Sequence, residues 1–190
     1  MEGGYTLYTI KNFIVQAFLQ KLLLRGAVSL GEFYVDIENS IYFGKALLDA
    51  VELEGFQQWI GCSLCDNLDS LVFQYFNSFS FDPKESSKRG RLVEDTGFVI
   101  NTYPVPLQDG SFSDRYIINW VSGIIGKVSI NDHFLDSELT GEPSIDRKYQ
   151  NTLIYWKWWE SQCEDLLRRV QSIGVNDSLY KGWEGLPHKR

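Results

Sequence analysis

Apolar residues recur at helical spacing from Leu7 through Ile10, Ile14, Ala17, Phe18 and Leu22, and Phe13, Leu19 and Leu23 widen that stripe over most of the circumference. A helix apolar nearly all round needs a broad surface to pack on, so a sheet is expected beside it. Gly26 closes the helical pattern and leads into Ala27 to Val35, whose small, β-branched and aromatic residues suit a strand. The run DIENS, residues 36–40, supplies turn chemistry before Ile41, Tyr42 and Phe43. Together these predict a hairpin.

After Gly44, an apolar stripe of Ala46, Leu47, Ala50, Val51 and Leu53 opposes Lys45, Asp49, Glu52 and Glu54, which predicts a short amphipathic helix. Trp59 to Cys65 reads as the next strand. Asp66 or Asn67 is placed to cap a following helix, with Leu68, Leu71, Val72, Tyr75 and Phe76 toward the core. Residues 82–95, DPKESSKRGRLVED, combine proline, glycine and dense mixed charge, and are expected to be flexible and cut first by proteases. The run TGFVINTYPVPLQDGSFSDRYIINW, residues 96–120, holds two β-rich stretches around a QDGS turn. Pro104 and Pro106 put the first of its two strands at an edge or in a bend. A polar link over residues 122–147 leads to a last long helix, whose buried face is predicted at Tyr149, Leu153, Trp156, Trp159, Cys163, Leu166, Leu167 and Val170, with Trp158 off the stripe. The alternation of helices and hairpins is an α+β pattern: an antiparallel sheet on one layer and helices on the other.

Composition narrows this picture. A chain of 190 residues with 44% hydrophobic and 15% aromatic content buries one sizeable core, so the organisation expected is residues 1–121 as a domain, 122–147 as a linker and 148–190 as a C-terminal helix and tail. The net charge of −7 repels phosphate backbones and anionic lipid. Lys84, Lys88, Arg89 and Arg91 make the densest basic run, but Asp82, Glu85, Glu94 and Asp95 are interleaved with it. Neither nucleic acid nor membrane is therefore an expected partner.

The three cysteines are an odd number with no secretory leader before them, which favours a reducing, cytoplasmic setting. Cys62 and Cys65 form a C-x-x-C without a second pair; only the distant Cys163 and His133 could join them, and a strand would point the two thiols to opposite faces. No metal site is expected there. The N-terminal apolar run is broken by Lys11, Asn12, Gln16, Gln20 and Lys21, so it reads as a buried helix, not a membrane span.

The stretches RGAVSLGEFY, IYFGKALLDAVELE and QQWIGCSL resemble the C-terminal half of class III nucleotidyl cyclase domains, most of all the bacterial antiphage branch that makes cyclic UMP or cyclic CMP. The family's Arg, its glycine-bearing strand, its later glycine and its helix ending near A-x-x-L-E fall on Arg25, Gly26, Gly31, Gly44, Ala50, Leu53 and Glu54. YPVPLQDG and YIINW look like that branch's downstream extension, and the likeness covers roughly residues 5 to 120. The fold it implies is a partial nucleotidyl-cyclase-like, ferredoxin-type core with a C-terminal helical extension.

Cyclisation of a nucleoside triphosphate needs divalent ions held by paired aspartates and a partner face that stabilises the developing charge. The resemblance implies that those aspartates lie upstream of the first helix, so this chain is expected to lack them and to be inactive alone. No cofactor is expected in the chain by itself; magnesium or manganese is expected if a complete site assembles. The positions that serve the opposite site across a cyclase dimer would be Leu48 and Glu52, and the base-selecting position would be Ile41. A leucine donates no hydrogen bond and a glutamate repels phosphate, so no catalytic residue is carried over.

Arg25, Glu32 and Glu52 remain as nucleotide-binding candidates. Each has a plain structural alternative: Arg25 as a cap on the terminal carbonyls of the preceding helix, and Glu32 and Glu52, with Glu54, as a solvated face. His133 and His188 receive no role. The reading is a lyase fragment or subunit that works as a homodimer or with a partner supplying the N-terminal half; the alternative is a non-catalytic dimerisation or nucleotide-binding module. An unrelated α+β binding protein is the third reading. Without the upstream strands, the apolar first helix is expected to expose a patch that drives self-association.

Overall fold

The computed structural model describes residues 2–72, 99–124 and 141–172 of the chain. Helix α1 spans Glu2–Leu19 and β1 spans Gly26–Val28. Strands β2 (Tyr34–Asp36) and β3 (Ile41–Phe43) form a separate two-stranded sheet ahead of helix α2 (Lys45–Phe56). Strand β4 is Cys62–Leu64, and β5 (Ile100–Pro106) and β6 (Phe112–Ile118) make the second hairpin. Helix α3 runs from Pro143 to Ser172. The main sheet has the order β1-β4-β6-β5.

The architecture is α+β, with one correction to the expected sheet. It is mixed: β1 and β4 run parallel, whereas β4 with β6 and β6 with β5 are antiparallel. The parallel pair arises because the chain crosses from β1 to β4 through the small hairpin and α2, and parallel neighbours need such a crossover.

The expected strand Ala27–Val35 is two strands. Beyond Val28 the amide of Asn67 takes over the backbone: its Nδ2 donates to the Leu30 carbonyl at 2.6 Å and to Ser29 Oγ at 2.9 Å, and its Oδ1 accepts from the Leu30 N–H at 3.3 Å. A side chain that satisfies the backbone frees it from a ladder, and the chain peels away into β2.

Helix α1 also stops sooner than the apolar pattern suggests. Lys21 adopts a left-handed conformation (φ 61), and the Leu22 N–H donates back to the Ala17 carbonyl at 2.9 Å, so the helix is closed by Lys21 and not at Gly26. Leu22 consequently lies exposed, as does Phe13, while Ile14, Val15, Ala17 and Phe18 are buried. Residue 66 begins a 3-10 turn, Asp66–Leu68, whose N-cap is Cys65 with no side-chain bond, so neither Asp66 nor Asn67 caps it. Leu68 and Val72 are buried and Leu71 is exposed. The expected flexible run 82–95, and Tyr75 and Phe76, lie outside the described residues.

The second hairpin follows its sequence closely. Pairing runs in unbroken register from Ile100 with Ile118 to Pro106 with Phe112, and β5, which carries Pro104 and Pro106, is an edge strand as their missing N–H groups require.

Helix α3 begins at Pro143, so the end of the expected 122–147 link is helical; proline at a first helical position gives up no bond. Its buried face is Thr152, Tyr155, Trp156 and Trp159, and Trp158, expected off the stripe, packs its ring 5.2 Å from Tyr103 and 6.0 Å from Tyr155. Cys163, Leu166, Leu167 and Val170 lie where side chains are not described.

Residues of α1, the main sheet and α3 share one core, which includes Phe18, Trp59, Ile117, Trp120, Tyr155 and Trp156. The ring of Trp59 meets Tyr155 edge-on at 5.0 Å, and Phe18 lies 5.0 Å from Trp120. Gly61 makes the burial of Trp59 feasible, because a Cβ there would come within 2.7 Å of the indole. No described helix is long and apolar enough to cross a membrane.

Candidate functional site

The candidates flank β1, with Arg25 before it and Glu32 after it, and Glu52 lies on α2. Arg25 precedes β1 and points back to the end of α2. Its Nε pairs with the Glu54 carboxylate and its guanidinium also donates to the Gln57 carbonyl at 3.2 Å. Its side chain is about one-quarter exposed, at 23%. An arginine so engaged ties the end of α2 to the start of β1; the expected cap is on the preceding helix, α1, and the side chain meets the end of the following helix instead.

Beside it lies a residue that the periodicity did not single out. Gln57 is fully buried; its Nε2 donates to the Gly26 carbonyl at 2.6 Å, and its Oε1 accepts from Trp59 Nε1 at 2.9 Å and from Ser63 Oγ at 2.7 Å. One amide thus satisfies groups on β1, β4 and the loop between. The signal was present in FQQWIGC, a polar pair set within an apolar run.

Glu32 and Glu52 are exposed, and Arg25 pairs with neither. The Glu32 carbonyl, not its carboxylate, makes the structural contact, accepting from the Ala46 N–H at 3.3 Å in the first turn of α2. Gly44 makes that approach possible. It has φ 149, and a Cβ would run into the Glu32 carbonyl oxygen and come within 2.8 Å of Phe33 Cα. Lys45 donates to Asp49 at 2.8 Å; that bond and the Asp49 charge, with a smaller contribution from Glu52, hold its ammonium above the ordinary lysine range.

Cys62 and Cys65 are poorly placed for nucleophilic chemistry. Cys62 and Cys65 are both buried and both free thiols. Burial, and then the neighbouring Cys65, push the Cys62 thiol up to about 12; burial likewise raises Cys65, whose Sγ donates to the Asp49 carbonyl at 3.6 Å. A thiol held protonated is neither a ligand nor a nucleophile at neutral pH. Among the described residues no group of three or more His, Cys, Asp or Glu is placed to hold a metal ion, and Asp49 is already engaged by Lys45 and Asn67. His133 and His188 lie outside the described residues.

The positions that the cyclase resemblance directs at a partner lie in the open. Leu48 is 70% exposed, and Glu52 is exposed on the same helix; Ile41, at the base-selecting position, is 46% exposed. Comparison with protein-family models, with curated proteins and with solved structures finds no match to this chain.

Proposed function

We propose that the chain is a nucleotidyl-cyclase-like protein, a fragment or subunit of a lyase that cyclises a nucleoside triphosphate to a 3′,5′-cyclic nucleotide in antiphage signalling. It works only when assembled with a second chain. The observation that carries this reading is the exposure of Leu48 and Glu52, the two positions through which a chain of this pattern would address a partner's site. The core supplied here is the ferredoxin-type half that supports such a site, and the cytoplasm is the compartment where the substrate is found. Divalent ions and their ligands come from the partner: an upstream half, or a second copy carrying one.

The test is a chromatographic assay of UTP, CTP, ATP and GTP with the purified chain, with magnesium or manganese, alone and after mixing with the polypeptide encoded immediately upstream. No cyclic product is expected from the chain alone, and product is expected from the mixture. Turnover by the isolated chain defeats the reading.

The chemistry at these two positions favours a second reading, a non-catalytic dimerisation or nucleotide-binding module. Leu48 offers no hydrogen bond and Glu52 repels a phosphate. Nucleotide binding by calorimetry without turnover in the mixture selects this alternative.

A further inference from the structure

The hairpin of β2 and β3 is the least covered apolar part of the described molecule. Phe33, Tyr34, Ile37, Tyr42 and Phe43 are each at least half exposed, and Val35 and Ile41 are 42% and 46% exposed. The tip is nevertheless well made. Asp36 accepts from the Asn39 N–H at 3.0 Å and from its Nδ2 at 2.8 Å, Ser40 takes the left-handed conformation (φ 56), and the rings of Tyr34 and Phe43 meet across the strands at 4.7 Å. A two-stranded sheet with no layer over it is marginal in water, and a broad exposed apolar surface on a formed element marks a contact site.

The charge around it says what fits. Segment 29–56 carries six carboxylates, of which Asp49 is engaged by Lys45 and Glu54 by Arg25, leaving Glu32, Asp36, Glu38 and Glu52 with no salt bridge among the described residues. A second copy meeting this face about a two-fold axis would bring the same excess of carboxylates to both sides of the interface. Anionic lipid and nucleic acid are repelled for the same reason. A segment carrying both apolar and positively charged side chains is attracted on both counts. Among the described residues β2 and β3 pair only with each other, so each strand has an outer edge that can receive an extended chain.

We propose that this hairpin is the docking site for an extended, basic and apolar segment of a different protein, added as a strand to the two-stranded sheet. The proposal takes only the location of the contact from the cyclase reading; it replaces a second copy with a cationic partner, and it stands whether or not nucleotide is turned over.

The probe is a random twelve-residue peptide library displayed on phage and selected on the full-length chain, with the selected peptides then synthesised and titrated by fluorescence. Peptides in which apolar residues alternate with Lys or Arg are expected, their affinity weakening with added salt. Paired Val35→Ser and Tyr42→Ser substitutions are expected to weaken binding by at least about tenfold, and Glu38→Lys at the tip to weaken it by a smaller factor. Circular dichroism melts identify any variant that fails to fold, and Glu38→Lys, which alters no apolar contact, then carries the test. Neutral or acidic selected peptides, binders indifferent to these substitutions, or no binder at all overturn the proposal. So does sedimentation showing a dimer that Tyr42→Glu disperses. A silent cyclase assay leaves these outcomes unchanged.

Discussion

Both hairpins in this molecule are antiparallel pairs rich in aromatic and β-branched residues, yet one lies in the core and the other in the open. In β5 and β6, Ile100, Tyr103, Val105, Ile117 and Ile118 are buried. In β2 and β3 no residue is. What differs is the company each keeps. Strand β6 pairs with β4, and its layer is covered by the aromatic face of α3; the three-residue strands β2 and β3 pair only with each other. Apolar composition makes burial favourable, but a second layer must exist for burial to happen. Where it does not, the same side chains become a recognition surface.

The sharpest way to break this contrast is to truncate the shared core. Trp59→Ala removes a fully buried ring and a hydrogen bond to Gln57, and is expected to cost about 3–5 kcal/mol in urea unfolding. Ile117→Ala, in the covered hairpin, is expected to cost about 2–5 kcal/mol. A loss below about 1 kcal/mol at either site would mean that the core is not packed as described.

Alkaline pH probes the same layer. Above the ordinary thiol value of 9.0 the unfolded chain releases the Cys62 proton, while the folded chain keeps it to about 12. The unfolded state then binds fewer protons, so stability falls as pH rises through that window. The Tyr103 phenol, raised by burial above its ordinary 10.0, adds to the fall from there upward. Urea midpoints across the window should drop, and Cys62→Ala should flatten the part below the tyrosine range. An unchanged slope in that variant would refute the assignment.

Smaller effects sharpen the other side of the comparison. Gly44→Ala forces a Cβ toward the Glu32 carbonyl at a left-handed φ, and should cost about 1–3 kcal/mol, with amide shifts concentrated in residues 30–48. Tyr42→Ala, in the open hairpin, should change stability by no more than about 0.5 kcal/mol, read by thermal melting. A large loss there would show the hairpin to be covered.

Several features were legible because they are local. Pro104 and Pro106 forced an edge, QDGS made its turn, DIENS made the other, and the helical spacing near Trp156 and Trp159 marked a buried face. Tyr155, which the spacing does not mark, is fully buried and Trp158 is partly so, since which rings a helix buries depends on the surface that meets it, here Tyr103 and Trp59. The candidate site was the least legible. Arg25, Glu32 and Glu52 are charged residues in a suggestive order, but whether a charge is free depends on neighbours remote in sequence, and Glu54 and Gln57 engage the arginine.

By itself the sequence determined the elements whose signals lie within a few residues: two hairpins, the amphipathic α2, the long aromatic α3 and an α+β class. Only the tertiary structure decided that β1 and β4 run parallel, that Asn67 diverts the chain after Val28, and that one apolar hairpin is enclosed while the other is left open. The reason is physical. Backbone preference is set by adjacent residues, whereas burial and pairing are set by whichever distant segment supplies the second surface.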